Sequence, residues 1–182
     1  LSKYEGVLLM ENVFRETLNL LGKGDPCVMA TVVRTKGSTP QKSGAKLLVR
    51  KDGTAVGTLG GGCVEGDIWF AAKSLLKDGG DAHVRDYFLN EDIAARDGLV
   101  CGGTMYFLID PVGRDDEFKS YAQEIVSAYS GGQSVALIEL IKTPANSALK
   151  VGHKALIRAD GTVLGKIQDE LLWEKCLKTS AE

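Results

Sequence analysis

The residues best suited to chemistry in this 182-residue chain gather in a few short polar and glycine-rich segments. Gly60-Gly61-Gly62-Cys63-Val64-Glu65 follows an apolar run and opens an amphipathic one, so its glycines stand between a strand and a helix. Consecutive glycines permit positive φ and close approach of a ligand to the backbone. The first-turn N–H groups of the helix favour an anion such as phosphate. The spacing meets neither the phosphate-loop pattern G-x-x-x-x-G-K-[ST] nor the dinucleotide pattern G-x-G-x-x-G. A tight strand-to-helix turn is the plain alternative, but three glycines ahead of a Cys and a Glu favour binding. Gly37-Ser38-Thr39-Pro40, followed by Gln41, Lys42, Ser43 and Gly44, is a polar loop whose hydroxyls and Lys42 suit a polar, anionic ligand. Placed at the same sheet edge, the two loops form a cleft.

The four cysteines, Cys27, Cys63, Cys101 and Cys176, contain no C-x-x-C pair, and the histidines are only two, His83 and His153. No metal site built from protein ligands alone is expected, and in a reducing compartment the thiols stay reduced. Cys63 falls near a helix N-terminus, where a thiolate is favoured as nucleophile or soft-metal ligand. Cys101, with Gly102 and Gly103 directly after it, is exposed by its glycines and is the better candidate for a functional thiol. Cys27 and Cys176 read as buried structural residues, and both histidines read as structural. Glu65, in the first turn of its helix, either complements the helix dipole or meets a ligand; residue type leaves both open.

These residues need elements to hold them. Val7, Met10, Phe14, Leu18 and Leu21 recur at helical spacing over residues 5–22, and Gly22 with Gly24 ends that helix. Cys27 to Val33 reads as a buried strand, and Lys46 to Arg50 and Thr54 to Leu59 flank an Asp52-Gly53 hairpin turn. Val64, Ile68, Ala71, Ala72 and Leu75 mark a second helix, ended by Gly79-Gly80. Further strands are expected at His83 to Leu89 and Thr104 to Ile109. Phe118, Tyr121, Ala122, Ile125 and Tyr129 mark another helix, followed by a strand from Ser134 to Ile141.

The segment 152–165 repeats the segment 44–57 at a constant offset of 108, with eight of fourteen positions identical: Gly44, Lys46, Leu48, Arg50, Asp52, Gly53, Thr54 and Gly57 recur as Gly152, Lys154, Leu156, Arg158, Asp160, Gly161, Thr162 and Gly165. A hairpin signature alone accounts for Asp-Gly-Thr but not for the other five. The expected fold is α+β: a duplicated helix-hairpin-helix unit with pseudo-twofold symmetry, each copy giving strands to one core. Helices pack on one face of mixed or antiparallel sheet. The whole chain, 1–182, reads as a single domain, with a first copy over 5–80, extra strands over 83–110 and a degenerate second copy over 114–180. The second copy lacks the glycine loop and the Gly-Ser-Thr-Pro segment, so ligand binding is expected of the first copy only.

Composition excludes several functions. Glycine is about 12% of the chain (22 of 182) against roughly 7% in average usage, without a Gly-X-Y period. With 44% hydrophobic and 25% charged residues, the chain is neither collagen-like nor disordered. Net charge is −2 and no basic cluster occurs, so neither nucleic acid nor an anionic membrane is an expected partner. No secretory signal pattern opens the sequence, and a cytoplasmic location is expected. A homodimer is expected because twofold dimers are the commonest soluble oligomers and a carried ligand gains shelter at an interface.

Taken in order, Thr35-Lys-Gly-Ser-Thr-Pro40, Gly44-Ala-Lys-Leu-Leu-Val49, Asp52-Gly53, Gly57-Thr-Leu-Gly-Gly-Gly-Cys-Val-Glu65, Val100-Cys-Gly-Gly103 and Ile109-Asp-Pro111 resemble the N-terminal domain of the XdhC/CoxI family, maturation factors for molybdenum hydroxylases. The resemblance implies binding of molybdenum cofactor, in its molybdopterin form, and its protected delivery to an apoenzyme of xanthine dehydrogenase or carbon monoxide dehydrogenase type after sulfuration by a cysteine desulfurase. It implies cofactor contacts at Gly60, Gly61, Gly62, Cys63, Glu65, Cys101, Gly102 and Gly103, with Ser38 as a lesser candidate. The family usually carries Arg directly after its Gly-Ser-Ser/Thr-Pro motif, where this chain has Gln41, so that charged contact is either lost or moved to Lys42. Longer members continue into a Rossmann-like domain; this chain then stands as a short form or as one half of a split pair with a separate Rossmann-domain chain. Two other readings compete: a sulfur-transfer enzyme using Cys101 or Cys63 as nucleophile, and a non-catalytic docking or regulatory module.

Overall fold

The computed structural model describes residues 3–89, 102–112, 117–144, 147–165, 167 and 169–180. Twelve elements follow in order: α1 (Lys3–Lys23), β1 (Cys27–Lys36), β2 (Lys46–Arg50), β3 (Ala55–Gly57), α2 (Gly62–Asp78), β4 (His83–Phe88), β5 (Thr104–Asp110), α3 (Glu117–Tyr129), β6 (Val135–Glu139), β7 (Lys154–Arg158), β8 (Val163–Leu164) and α4 (Glu170–Ser180). The chain is α+β, and every described strand pairing is antiparallel. The first helix runs through Gly22, and it is Gly24, at φ 72°, that ends it. No helix among the described residues is long and apolar enough to cross a membrane.

A five-stranded sheet has the order β3-β2-β1-β5-β4, and a three-stranded sheet the order β6-β7-β8. Alternation along β1 decides the layering. Val28, Ala30 and Val32 point to one face, where Val64, Ile68, Ala72 and Leu75 of α2 cover them. Cys27 and Met29 point to the other, joined by Val13, Phe14 and Leu20 of α1 and by Phe118, Tyr121, Ala122 and Ile125 of α3. The same cluster takes in Leu156 of β7, with Val135 and Leu137 of β6 packed against it. The outer face of the small sheet buries Ala155 with Leu140, Leu149 and Ile167 against Leu172, Trp173 and Cys176 of α4. The layers therefore run α2, large sheet, α1 with α3, small sheet, α4. Helices cover both faces of sheet rather than one, because strands with apolar residues on both sides must be covered on both.

Each hairpin is tied by the same hydrogen bonds. Asp52 Oδ1 accepts from the Thr54 N–H (2.8 Å) and hydroxyl (2.7 Å), and Arg50 donates to Thr54 Oγ1 (2.8 Å) and Glu16 of α1 (2.8 Å). In the second hairpin Asp160 accepts from the Thr162 N–H and hydroxyl at the same two distances, while Arg158 donates to Thr162 Oγ1 (3.1 Å) and to Glu124 of α3 (2.8 Å). The Thr54 and Thr162 hydroxyls, above all, hold the two aspartates below the ordinary carboxyl range. Gly57 and Gly165 leave room that a Cβ would take from Val13 and from Tyr121, residues again 108 apart. Around the first turn, the Trp69 indole N–H of α2 donates to the Gly53 carbonyl at 2.8 Å.

The hairpins also exchange buried charges. Lys46 of β2 reaches Glu139 of β6 at 3.2 Å, and Lys154 of β7 pairs with Asp110 of β5; all four side chains are largely buried. Burial pushes the Asp110 carboxyl above its ordinary value, and the Lys154 ammonium only partly offsets this. An acid whose pKa is raised by folding weakens the fold above that pKa, and the penalty fades as pH falls to the unfolded value. Lys154→Met should therefore cost about 3–5 kcal/mol in urea denaturation at neutral pH. The deficit should shrink toward acid pH, and Asp110→Asn in the same chain should recover most of it. A loss below 1 kcal/mol, or one that does not change with pH, would contradict this account.

Candidate functional site

Three loops meet at one end of the large sheet. The 37–41 loop leaves β1, the 58–61 loop leads into α2, and Gly102-Gly103 leads into β5. Their contact depends on missing side chains. A Cβ on Gly103 would lie 2.4 Å from the Ser38 carbonyl oxygen and 2.6 Å from that of Lys36, one on Gly37 would lie 3.1 Å from the Gly102 oxygen, and one on Gly60 would lie 2.7 Å from Pro40 Cβ. Gly60, Gly61 and Gly62 have φ of 109°, 75° and 65°, a region that suits glycine. By contrast, nothing lies within 4 Å of a Cβ placed on Gly61 or Gly102. The loops thus interlock on one side and leave backbone uncovered on the other.

Glu65 shapes the glycine loop. Its Oε2 accepts from the Thr58 hydroxyl (2.7 Å), the Leu59 N–H (2.8 Å) and the Gly61 N–H (3.1 Å). Thr58 Oγ1 in turn accepts from the Gly60 N–H at 3.1 Å. The carboxylate works as a clamp from the first turn of α2 back onto the loop before it, so its main bonds are structural. Gly61, the N-cap of α2, brings no side-chain cap to that helix end. Leu59, fully buried, anchors the loop in the core beneath.

Of the sequence-predicted residues, the structure brings together Ser38, Gly60, Gly61, Gly62, Cys63, Glu65, Gly102 and Gly103; Cys101 lies outside the described residues. Ser38 and Lys42 are exposed. Lys42 sits farther along the loop, where it lines a cleft of 1140 Å³ on that loop's other side, between β1 and β6 and under α1 and α3. Cys63 is exposed at the start of α2, with the Tyr87 hydroxyl near both it and Asp67. Burial first, and then Asp67, raises the Tyr87 pKa. Cys27 is buried, its Sγ 3.7 Å from the Val112 carbonyl, and burial pushes its thiol up to about 12. Cys176 packs against the outer core of the small sheet, His83 contacts the Asp81 carbonyl, and His153 Nδ1 accepts from the Lys150 N–H.

Sequence reasoning missed Asp67 and Tyr87, and it missed that Lys46 and Glu139 share the cleft. The i, i+4 spacing of Cys63 and Asp67 was a usable signal for the first. No local signal linked Lys46 to Glu139, which are 93 residues apart.

Two measurements check this geometry. Gly60→Ala should lower stability by about 1–3 kcal/mol through backbone strain and the Pro40 clash, whereas Gly66→Ala, exposed within α2 and facing open space, should raise it by about 0.5–1 kcal/mol. Equal melting shifts in the two variants would contradict the loop geometry. In peptide-resolved thiol labelling of the folded protein, Cys63 should react well before Cys27, which should react only on unfolding.

Residues 20–87 match the XdhC and CoxI family. The chain is 36% identical over 107 residues to the uncharacterized protein YqeB of Escherichia coli K12, a match covering 56% of this chain and 18% of that protein. It is 28% identical over 126 residues to a probable xanthine dehydrogenase component of Bacillus subtilis 168 (68% of this chain, 37% of that one). It is 33% identical over 73 residues to the molybdenum cofactor insertion chaperone PaoD of Escherichia coli K12 (40% and 23%). The crystal structure of a xanthine dehydrogenase from Bacillus halodurans superimposes with a TM-score of 0.65 at 27% identity, covering 89% of this chain and 48% of that one. The chain thus spans less than half the length of each of these proteins. The matched span holds Ser38, Lys42, the glycine loop, Cys63 and Glu65 and stops short of residues 101–103. Across residues 20–87, the chain belongs to the XdhC and CoxI family.

Proposed function

We propose that the chain binds molybdenum cofactor, in its molybdopterin form, at the three-loop site and delivers it to a molybdenum hydroxylase apoenzyme of xanthine dehydrogenase or carbon monoxide dehydrogenase type. The observation that carries this reading is the uncovered backbone at Gly61 and Gly102, held at a fixed separation by the interlocked glycines 37, 60 and 103. It is supported by the family match and by similarity to a protein named as a molybdenum cofactor insertion chaperone. The donor set fits such a group. Positive-φ backbone at Gly60 to Gly62 can close on a phosphate, Ser38 offers a hydroxyl to a polar heterocycle, and the exposed thiol of Cys63 suits a soft metal or sulfur. When bound, the cofactor supplies the molybdenum centre of the recipient enzyme; this chain's residues bind it, orient it and keep water away.

On this reading Cys101, beside Gly102 and Gly103, also touches the cofactor, and Glu65 acts by holding the loop open. A cysteine desulfurase sulfurates the cargo, the carrier is a cytoplasmic homodimer, and a separate Rossmann-domain chain is a further partner. We also read the chain as one domain built from a duplicated unit about a pseudo-twofold axis. The hydrogen bonds recurring at an offset of 108 support that ancestry. The second copy kept its hairpin and lost the glycine loop.

One observation favours a second reading. Cys63 is an exposed thiol at a helix start, the placement expected of a sulfur-transfer nucleophile. Purified protein mixed with molybdenum cofactor at micromolar concentration should retain it through gel filtration, and Cys101→Ala or Gly61→Asp should lower retention at least about tenfold. No retention by the unaltered protein, or retention insensitive to both changes, overturns the carrier reading. A persulfide found on Cys63 or Cys101 by mass spectrometry would support sulfur transfer instead.

A further inference from the structure

The cleft on the far side of the 37–45 loop has a polar floor that the fold alone does not account for. Lys46 is buried there, donating to Thr31 Oγ1 (2.8 Å) and Glu139 Oε2 (3.2 Å). An ammonium has three donors, and the third has no oxygen acceptor among the described residues, the Phe14 ring lying 5.9 Å away. Glu139 gives one oxygen to Lys46, while its Oε1 has no partner among the described residues. Both residues line the cleft, as do Met10 and Tyr129, which form part of its apolar side, and Lys42, exposed on the 37–45 loop. At 1140 Å³ the cleft is at the upper end for small-molecule sites, about 300–1,000 Å³.

A carboxylate beside an ammonium presents acceptor, acceptor and donor in a row. The complementary edge is donor, donor and acceptor, which a planar 2-amino-4-oxopyrimidine carries as its 2-amino group, ring N–H and carbonyl. Pterins and guanine share that edge. We infer that the Lys46–Glu139 floor of this cleft recognises the 2-amino-4-oxopyrimidine edge of a bound heterocycle, with Tyr129 and Met10 against its ring and Lys42 toward its phosphate. Glu139 accepts from the 2-amino group and ring N–H, and Lys46 donates its remaining proton to the carbonyl. The inference deepens the carrier reading and rests on it for the choice of a pterin over a guanine nucleotide. It adds Lys46 and Glu139 as specificity-determining residues, and Pro40 and Gln41, which both wall the cleft and touch Gly60, join the two sides of the site.

Wild-type protein titrated with pterin and with lumazine, which has an oxo group in place of the 2-amino group, tests this directly. GMP against IMP, which lacks the 2-amino group, is a second pair. A site built to accept from that amino group should prefer the first member of at least one pair by about tenfold or more. Glu139→Gln should abolish the preference while binding of the second member changes little. Preference in the pterin pair assigns the cleft to a pterin; preference in the GMP pair alone assigns it to a guanine nucleotide. Equal binding within both pairs, no binding at millimolar concentration, or a preference that survives Glu139→Gln overturns the inference. The wild-type comparison stands even if Glu139→Gln fails to fold. Cofactor retained equally by wild type and Glu139→Gln would sink the cleft assignment and leave the carrier reading intact. Amino-group selectivity without cofactor retention would do the reverse.

Discussion

Two lysines, one from each hairpin, are buried against carboxylates of the opposite sheet, and the relation between the two sheets depends on them. Lys46 crosses to Glu139 and Lys154 crosses to Asp110. Burying a lone charge is costly, so neither lysine can sit where its hairpin puts it unless the other sheet is present and in register. The apolar layer of α1 and α3 supplies most of the attraction between the sheets, as it is the largest area removed from water there. Apolar contact is tolerant of sliding and rotation; a charge pair is not. The lysines therefore fix the angle at which the sheets meet, and that angle sets the width of the cleft between β1 and β6.

The glycine loop is governed by a different constraint, the exclusion of side chains. Gly37, Gly60 and Gly103 let three backbone segments pack at distances that a Cβ would forbid. Glu65 then takes the N–H groups of Leu59 and Gly61, which point inward to the clamp and not outward to a ligand. What is left for binding is the backbone beyond Gly61 and the open side of Gly102. The loop is rigid where it touches protein and bare where it does not, a combination suited to holding a ligand without reorganising around it.

Much of this was legible in the sequence because it is local. Helical spacing found α1, α2 and α3, Asp-Gly found both hairpins, and the identities at an offset of 108 anticipated the matching bonds of Arg50 and Arg158. The layering was harder to read. Alternation in β1 shows two apolar faces, but only the folded chain shows that α1 and α3 fill one of them together with the second sheet. Glu65 could not be assigned because a first-turn carboxylate serves a dipole, a ligand or a neighbouring loop with equal chemistry. Glu139 was invisible for a plainer reason: it stands in an ordinary apolar strand, and its partner is on another sheet.

The bond from the Trp69 indole to the Gly53 carbonyl ties α2 to the first hairpin, and the other of the chain's two tryptophans, Trp173, lies in α4 against the second sheet. Each half therefore carries its own fluorophore. Emission from Trp69 follows the docking of the hairpin that precedes the glycine loop, and emission from Trp173 follows the closing of the outer core. With either indole replaced by phenylalanine, the two halves can be watched separately through one unfolding transition, and a delay between the signals would measure how strongly the crossed lysines bind the halves into one cooperative unit.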